Sequence, residues 1–324
     1  MKQIVQCVPN FSEGKDLEKI EKIITPLKNQ PGFTLISYEP DQDYHRTVVT
    51  LIGEPEAMIE PLVRFFKEAR DLIDMNVHQG EHARMGAVDV VPFIPIQNIK
   101  MSECTAYAKK LAEKVSSTLD LPVYLYANAA TSPDRKSLPN IRKGEFEGMK
   151  EKIKTEPWLP DYGKNEIHPT FGVVAIGSRL PLLAYNIDLP TDDLTITGDY
   201  ARAIRQSGGG FQFVQAGPVY LNERGHTQVT MNILNYQKNP IYRIFETVKM
   251  EALKHQLHVQ SSEIVGLIPE KALIQSLDYY LERDQKPKTE LSLKEIAELS
   301  REYLGLRDFT EEKIIEYYIT GSES

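Results

Sequence analysis

The residues best suited to chemistry lie in one short stretch, residues 74–90, which reads DMNVHQGEHARMGAVDV. It holds two of the seven histidines of the chain, three acids and one arginine, placed between glycines and an apolar segment. An enzyme site needs this mixture of a base, an orienting carboxylate and a cation for an anionic substrate. His82, flanked by Glu81 and Arg84, is the predicted catalytic residue, and His78 is expected to matter less.

The same stretch also contains a metal-binding pattern. His78, Glu81 and His82 match the H-x-x-E-H motif of zinc hydrolases, in which a helix sets two histidines one turn apart. Gly80 and Gly86 oppose a helix here, because glycine is unfavourable in helix interiors. No convincing third ligand follows in the sequence. A zinc hydrolase therefore remains the alternative of another class, and no metal is expected.

Composition limits the class of protein. The chain has 324 residues, 41% of them hydrophobic and 26% charged, which is typical of a globular protein with one large or two smaller domains. A net charge of −8 argues against a nucleic-acid partner, which would need a basic face. Two cysteines imply no disulfide framework and favour a reducing compartment. No apolar run is long enough for a membrane span or a signal peptide, so a cytoplasmic protein is expected.

Hydrophobic periodicity predicts the same order of elements twice. Strands are expected at residues 4–8, 33–38, 47–52 and 88–93, with helices at 16–27 and 59–73, in the order βαββαβ. The order returns with strands at residues 182–187, 211–221, 228–234 and 263–267 and helices at 192–206 and 240–255. Asn239 is expected to cap the last of these helices, with Pro240 at its first position.

These elements predict an α/β (α+β) fold of two subdomains, residues 1–178 and 179–324. Each is expected to be a mixed β-sheet with helices packed on one face, in ferredoxin-like βαββαβ order. The polar, proline-rich residues 155–168 and the residues near 176–181 are the expected joint. Two such halves would enclose a ligand cleft, with the chemistry in the first half.

Two loops at strand ends are further candidates for ligand contact. Residues 10–14 (NFSEG) follow the first strand, where Ser12 would cap a helix if the loop is a plain turn, and Asn10 would face a ligand if it is not. Residues 39–46 join two strands, and Arg46 would suit a carboxylate because guanidinium binds carboxylates bidentately. Hairpin loops are often charged without a function, so both interpretations stay open.

Two glycine-containing segments are candidates of a different kind. Residues 163–172 alternate polar and aromatic side chains, as a pocket for a flat heterocycle requires, although a plain connection between domains fits the pattern equally well. Residues 207–211 contain three successive glycines but lack the context of a phosphate-binding loop. The latter segment is interpreted as a flexible linker, with a mobile substrate flap as the alternative.

Taken together, these segments resemble the formiminotransferase family. The resemblance covers nearly the whole chain, and its motifs are residues 7–14 (CVPNFSEG), 80–87 (GEHARMGA), 89–95 (DVVPFIP), 122–126 (PVYLY) and 265–269 (VGLIP). It implies a homodimeric, folate-dependent transferase that moves a formimidoyl group between 5-formimidoyltetrahydrofolate and L-glutamate in histidine degradation. The chain is similar to the stand-alone transferase, without the cyclodeaminase domain to which animal members are fused.

The resemblance also assigns site residues. It implies that His82 is the general acid/base. It places folate binding on Gly163, Lys164, Asn165, Glu166, Ile167, His168, Pro169, Thr170, Phe171 and Gly172. Two positions depart from the family pattern: Ala83 replaces a common proline, and Glu39 stands where an aspartate can occur. A tetrahydrofolate derivative is the implied co-substrate.

The residues themselves agree with this chemistry. A histidine with an ordinary pKa of ~6.5 can take a proton from the glutamate amine and return it to the leaving folate nitrogen. Glu39 or Glu81 is expected to orient the imidazole. Substrate carboxylates are expected to bind the arginines Arg46, Arg84 and Arg179. Two interpretations stay open beside this one: transfer of a formyl group from 5-formyltetrahydrofolate, and a non-catalytic binding module.

Overall fold

The computed structural model describes residues 2–287 and 290–320. The chain divides into two compact units, residues 1–179 and 180–324, each with its own sheet and core. Within the described residues, no helix is both long and apolar enough to cross a membrane.

The first unit contains seven strands and five α-helices among its described residues. The strands are β1 (Ile4–Cys7), β2 (Asn10–Phe11), β3 (Phe33–Asp41), β4 (Arg46–Gly53), β5 (Val88–Gln97), β6 (Val123–Ala127) and β7 (Val174–Ser178). The helices are α1 (Leu17–Ile24), α2 (Pro55–Leu72), α3 (Met101–Leu119), α4 (Leu138–Arg142) and α5 (Glu145–Lys152).

The sheet of the first unit is mixed. β1 and β2 are successive pieces that both lie between β4 and β5, and β3 pairs with the outer side of β4. These pairings are antiparallel, whereas β7 and β6 extend the sheet in parallel beyond β5. The strands and helices as far as β5 follow the predicted βαββαβ order, and the predicted fold class is confirmed.

Both faces of this sheet are covered at its parallel end. Alternate residues of a strand point to opposite faces, and here Val91, Leu125 and Ile176 join the main core with α2 and α3. Their neighbours Tyr124 and Ala175 join a second cluster with α4 and α5. Helices therefore pack on both faces of the sheet in the first unit, whereas sequence periodicity predicted helices on one face only.

The loop after β2 differs from its prediction. The N-cap of α1 is Asp16, whose carboxylate accepts from the backbone N–H groups of Glu18 and Lys19, both at 3.1 Å. Ser12 lies four residues earlier, and its hydroxyl donates to the Gly86 carbonyl at 2.9 Å. Ser12 is therefore not the cap that the plain-turn interpretation of this loop required, because an aspartate nearer the apolar helix face satisfies the same donors.

The second unit repeats the order with one sheet. Its strands are β8 (Leu183–Leu189), β9 (Val214–Leu221), β10 (His226–Ile233) and β11 (Ser261–Val265). Its helices are α6 (Leu194–Ile204), α7 (Ile241–Leu253), α8 (Glu270–Arg283), α9 (Leu293–Leu304) and α10 (Tyr317–Thr320). The strand order β11-β8-β10-β9 inserts the third strand between the first two, as in a split βαβ unit. All three pairings are antiparallel, so this sheet is not mixed.

The two faces of the second sheet differ in polarity. Tyr185 and Ile187 of β8 and Val229 of β10 are buried in the core with the helices. On the other face, the Asp188 carboxylate accepts from Gln228 at 2.7 Å and from the Ser261 hydroxyl at 2.6 Å. Burial of these polar groups is tolerated because they are hydrogen-bonded to one another.

Two other expectations are corrected. Residues 155–168 lie inside the first unit, where the backbone of Tyr162 bridges to Val123 of β6, so they do not join the units. Of residues 176–181, the first three belong to β7. Asn239 does not cap α7; the helix begins after Pro240, and the Asn239 amide donates to the Gln212 carbonyl.

Candidate active site

A small polar hollow lies where three segments of the first unit meet. These are β2 with the residues just after it, the β3–β4 turn, and the loop between α2 and β5, with one residue of β5. Its lining residues are Asn10, Phe11, Ser12, Tyr44, His45, Arg46, His78, His82, Arg84 and Asp89. The segments are far apart in sequence. The sheet brings them together because β2 lies between β4 and β5 and pairs with both.

The loop at residues 73–87 is irregular and contains no helix. Its backbone is tied to neighbouring segments on two sides. Glu81 N–H donates to the Asp43 carbonyl at 3.1 Å, and Met75 N–H donates to the Thr170 carbonyl at 2.8 Å. These bonds hold the loop in a non-helical path against its neighbours.

This geometry does not form the zinc motif. The helix that would place His78 and His82 one turn apart is absent, and the two imidazoles contact different partners. Within residues 2–287 and 290–320, no group of three His, Cys, Asp or Glu side chains is arranged to hold a metal ion. The zinc hydrolase alternative therefore loses the geometry on which it depended.

His82 makes its closest side-chain contact with a cation. Arg46 Nη1 lies 2.6 Å from His82 Nε2. Guanidinium has no acceptor, so the imidazole must accept at Nε2 and carry its proton on Nδ1. The Tyr44 ring lies beside both groups, 5.3 Å from the Arg46 guanidinium carbon and 6.1 Å from the imidazole. This neutral tautomer is the form of His82 that can act as a base.

Burial and two arginines keep His82 neutral. Burial disfavours the charged form most, and the guanidinium groups of Arg46 and Arg142 add repulsion, so that the pKa of His82 falls to about 4. The nearby Asp41 carboxylate opposes this shift only weakly. At neutral pH the imidazole is therefore uncharged.

Arg46 is itself held in an unusual environment. Burial lowers the pKa of its guanidinium from the ordinary value, with the Arg142 charge as the next cause. Its Nε atom is buried and has no hydrogen-bond partner among the described residues. A half-buried guanidinium with an unused donor is suited to an anionic ligand, because a carboxylate can accept from two of its nitrogens at once.

An ion pair between Arg142 and Asp89 lies at the floor of the hollow. Asp89 of β5 is buried, and its carboxylate accepts from Met85 N–H at 2.8 Å and from Arg142 Nε at 2.8 Å. Arg142 is the last residue of α4, so this pair ties that helix to the loop that carries His82.

Glu13 organises the opposite wall. Its Oε1 accepts from the backbone N–H groups of Gly14, Lys15 and Asp16 at 3.0, 3.0 and 3.1 Å. His45 Nε2 lies 3.0 Å from the same oxygen. Burial opposes the charge on Glu13, but these hydrogen bonds outweigh it and lower the pKa of the carboxyl. The carboxylate therefore stays charged and anchors the β3–β4 turn.

His45 and His78 join this wall to the loop of His82, residues 73–87. His45 Nδ1 lies 2.7 Å from the Gln79 carbonyl, and His78 Nε2 donates to the His45 carbonyl at 2.8 Å. The two rings stack with centroids 4.3 Å apart. Burial, the largest cause, lowers the pKa of His78, in agreement with a neutral ring that accepts on its other nitrogen.

Arg84 is occupied by partners within the protein. Its Nε donates to His78 Nδ1 at 3.4 Å, and its two terminal nitrogens donate to Glu147 at 2.9 and 2.8 Å. Glu145 accepts from Nη1 at 2.8 Å. The side chain borders the hollow, but two carboxylates of α5 already neutralise it. Arg84 was predicted to bind a substrate carboxylate, but its terminal nitrogens bind carboxylates of the protein instead.

The remaining candidates are not all brought together. Asn10 lines the hollow, with its amide donating to the Val8 carbonyl at 3.1 Å. Glu39 is an exposed residue of β3, and Glu81 is exposed beside His82. Neither carboxylate hydrogen-bonds to His82 in the described part of the chain. Arg179 follows β7 and contacts Tyr126, whose pKa burial raises and this arginine lowers in part.

The predicted folate segment begins on the surface. Gly163, Lys164, Asn165 and Glu166 are exposed, and Lys164 Nζ forms an ion pair with Asp120 at 2.6 Å. This part of the segment borders the end of α3, because Asp120 is the C-cap of that helix.

The end of the same segment is hydrogen-bonded to the loop of His82. His168 and Gly172 exchange backbone hydrogen bonds at 3.0 and 2.9 Å, and Phe171 N–H donates to His168 Nδ1 at 3.0 Å. The Phe171 carbonyl accepts from Ala87 N–H at 2.8 Å, and Asn76 donates to the Pro169 carbonyl at 2.9 Å. A ligand held by this turn would thus be coupled through backbone contacts to the loop of His82.

Four residues in or beside the hollow were not singled out from the sequence: Glu13, Tyr44, His45 and Asp89. All four lie inside segments that the sequence marked as candidates, residues 10–14, 39–46 and 74–90, so their residue types were the only available signal. Arg142 lowers the pKa of His82, but no signal in the sequence indicated this role. It is one of many basic residues in a charged segment far along the chain.

Comparison with known proteins agrees with this architecture. Residues 4–179 match the family model described as "Formiminotransferase domain, N-terminal subdomain", and residues 184–320 match "Formiminotransferase domain". The chain is 45% identical over 282 residues to a glutamate formimidoyltransferase of Streptococcus pyogenes, which covers 87% of this chain and 94% of that protein. It is 41% identical over 281 residues to one from Thermoplasma acidophilum, covering 86% and 92%.

Longer relatives match as well. The formimidoyltransferase-cyclodeaminase of mouse is 37% identical over 336 residues, covering 99% of this chain and 61% of the mouse protein. The fold and the paired family matches define a two-subdomain transferase domain. The chain belongs to the formiminotransferase family.

Proposed function

We propose that this protein is a glutamate formimidoyltransferase, which moves the formimidoyl group between 5-formimidoyltetrahydrofolate and L-glutamate. Family membership and the names of two relatives above 40% identity support this assignment. Within the site, the supporting observation is the neutral His82 imidazole held 2.6 Å from Arg46. The reaction belongs to one-carbon metabolism and to the degradation of histidine.

His82 acts as the base on glutamate. The amino group is a nucleophile only after it loses a proton, and a neutral imidazole can accept that proton. In the free protein, Nε2 accepts a hydrogen bond from Arg46. A substrate carboxylate competes for this guanidinium, since a bidentate ion pair is stronger than a hydrogen bond to imidazole. Substrate binding therefore frees Nε2 for the amine that the same substrate carries.

The same exchange adjusts the basicity of His82. The charge of Arg46 contributes to its low pKa, and a bound carboxylate neutralises that charge. The pKa of His82 then rises toward neutral pH, where proton transfer in both directions is efficient. The resulting imidazolium returns its proton to the folate nitrogen that leaves.

We assign folate binding to residues 163–172 and the first contact with glutamate to Arg46. The turn at residues 168–172 supports this division, because its hydrogen bonds reach the loop of His82. Arg179 and Asn10 remain candidates for further substrate contacts. Residues 1–178 and 179–324 are proposed as the functional subdomains.

Two cellular properties are part of the proposal. The family resemblance suggests a homodimer, and sedimentation velocity at micromolar concentration would test it. Cys7 and Cys104 are buried free thiols, as expected of a protein in the reducing cytoplasm.

The decisive experiment measures turnover with 5-formimidoyl- and 5-formyltetrahydrofolate side by side, with glutamate as acceptor. We expect faster transfer from the formimidoyl donor. His82→Gln should lower kcat by about 10²–10⁴-fold with little change in folate binding, because the acid/base step is lost. A preference for the formyl donor would reassign the transferred group. Undiminished kcat in His82→Gln would contradict the catalytic role of this residue.

A further inference from the structure

A second cavity lies wholly within the second unit. It has a volume of about 520 Å³, which is within the range of small-molecule sites. Residues 205–207, just after α6, border one side, and the first half of β9 borders the other. Its lining includes Arg205, Gln206, Phe213, Gln215 and Leu234.

The charge of this cavity is unusual for an acidic protein. The chain has 46 acidic and 38 basic residues, yet no acid is among the described residues that line the cavity. Arg205 is half-buried, and no Asp or Glu forms an ion pair with it in the described part of the chain. Its Nε atom is buried without a hydrogen-bond partner, and Nη1 reaches only the Ala216 carbonyl, at 3.4 Å.

A guanidinium in this state lacks a counter-ion. Removing a cation from water is costly unless an acceptor replaces the lost hydration. Arg142, a half-buried arginine near the first-unit hollow, has Asp89 as its counter-ion. At Arg205 the described residues supply one long hydrogen bond, so an external anion is the natural acceptor.

The walls of the cavity are fixed before any ligand binds. The Arg205 carbonyl accepts from Gly208 and Gly210, both at 3.0 Å, which closes the turn after α6. Phe213 N–H donates to Gln206 Oε1 at 2.7 Å, and the Phe213 carbonyl accepts from Leu234 N–H at 2.9 Å. This turn is thus a structured wall and not the flexible linker that its glycines predicted.

The lining sets the chemistry of the ligand. Phe213, Val214 and Leu234 offer apolar surface. Gln206 uses its carbonyl oxygen on the Phe213 amide, which leaves its NH₂ group to donate. The ammonium of Lys238 lies 5.0 Å from the centre of the Phe213 ring and adds positive charge. A cation and amide donors beside an apolar wall match a carboxylate attached to an apolar or aromatic body.

We propose that this cavity is a carboxylate-binding site of the second unit, with Arg205 as its anchor. The ligand is a small molecule that bears a carboxylate on an aromatic or apolar body. This site lies beyond the transfer reaction, and its occupancy is measured by binding without turnover. A negative result in the binding test would therefore leave the assignment of His82 intact.

The test is a titration of the full-length protein followed by amide NMR shifts of residues 206–216. The probes are 4-aminobenzoyl-L-glutamate, which is the carboxylate end of a folate, and 3-phenylpropionate, which is unrelated to folates. The neutral 3-phenylpropanamide controls for apolar binding. We expect saturable shifts with a carboxylate probe and none with the amide. Response to the first probe alone would identify a folate tail as the source, and response to both a general carboxylate site.

Substitutions assign the binding to the guanidinium. Arg205→Gln should weaken the carboxylate probe at least about 10-fold, because the charge is lost, whereas Arg205→Lys should retain part of the binding. Arg202→Gln is the matched control: Arg202 is an exposed residue of α6 that pairs with Asp199. Thermal melts without ligand establish that each variant folds. The proposal is overturned if neither carboxylate binds, if the amide binds equally well, or if Arg205→Gln and Arg202→Gln bind as the native protein does.

Discussion

At the scale of single residues, the arginines of the site differ in whether carboxylates of the protein neutralise their charge. Three arginines were predicted to bind substrate carboxylates, and their types gave no means to rank them. Arg84 is neutralised by two glutamates, whereas Arg46 is half-buried beside His82 with an unused donor. The two side chains therefore have different roles, although both border the same hollow.

The pKa of His82 tests its coupling to Arg46. We expect the imidazole of the free protein to titrate near pH 4, far below an unperturbed histidine. Arg46→Gln should raise this pKa by about 1 unit, because a repelling cation is removed. The ring C–H resonances of His82 report the titration directly by NMR. A His82 pKa near 6.5 in the native protein, or no change in Arg46→Gln, would rule out the coupling.

Kinetics should separate Arg46 from Arg84. Arg46→Gln should raise the KM for glutamate at least about 10-fold with little loss of stability, as expected when a charged hydrogen bond to substrate is removed. Arg84→Gln should instead destabilise the protein by about 1–3 kcal/mol, because the buried His78 loses the hydrogen bonds that Arg84 donates to its ring and carbonyl. Steady-state kinetics and urea unfolding measure the two effects. The opposite pattern would return Arg84 to the role that sequence gave it.

At the scale of elements, a backbone crossing positions the loop of His82. The loop before β5 crosses the chain entering β7, where Gly86 and Gly172 form a bridge. A Cβ on Gly86 would lie well inside van der Waals contact with the Val173 carbonyl. Sequence indicated that glycine mattered here, but not which strand approached it, since β7 lies more than 80 residues further along the chain.

Two Gly→Ala substitutions test this crossing. Gly86→Ala should destabilise the first unit by about 1–3 kcal/mol, because an overpacked backbone contact forces β5 and β7 apart. Gly148→Ala is the control, as no atom lies within 4 Å of a Cβ built there and the residue is in α5. It should stabilise by up to about 1 kcal/mol through helix propensity. Urea unfolding compares them, and equal effects would show that the crossing is not tight.

At the scale of the whole molecule, the two units respond differently to acid. Three histidines of the first unit, the buried His78 and the half-buried His82 and His168, have lowered pKa values, chiefly through desolvation. Unfolded histidines bind protons near pH 6.5, so acidification below that pH favours unfolding of this unit. In the second unit, burial raises the pKa values of Glu270 and Glu316, which has the opposite effect.

Acidification should therefore loosen the first unit before the second. Between pH 7 and pH 5 we expect amide protection to fall more in α2 and β5 than in α7 and α8, after correction for intrinsic exchange rates. The lowered carboxyls Asp284 and Glu295 of the second unit are exposed and contribute little. Hydrogen-exchange mass spectrometry resolves the two units by peptide. Earlier loss of protection in α7 and α8 would contradict this order.

The sequence by itself determined the repeated βαββαβ order, the family and the loop that carries His82. These features are written in short-range patterns, namely apolar periodicity and clustered polar types. It missed α5, because only Phe146 and Met149 are buried among its eight residues and give no helical stripe. Weak local patterns of this kind acquire their structure from the sheet on which they pack.

Tertiary structure decided which groups of the site meet. His82 received a guanidinium neighbour in place of a predicted carboxylate, because β4 brings Arg46 to it from 36 residues away. Arg142 and Asp89 are paired across 53 residues, and Arg84 and Glu147 across 63. The pKa of a histidine depends on burial and on charges within a few ångströms, and both are fixed only when distant strands and helices pack. The sequence predicted His82 as the residue that does the chemistry; the fold set its charge, its tautomer and its partner.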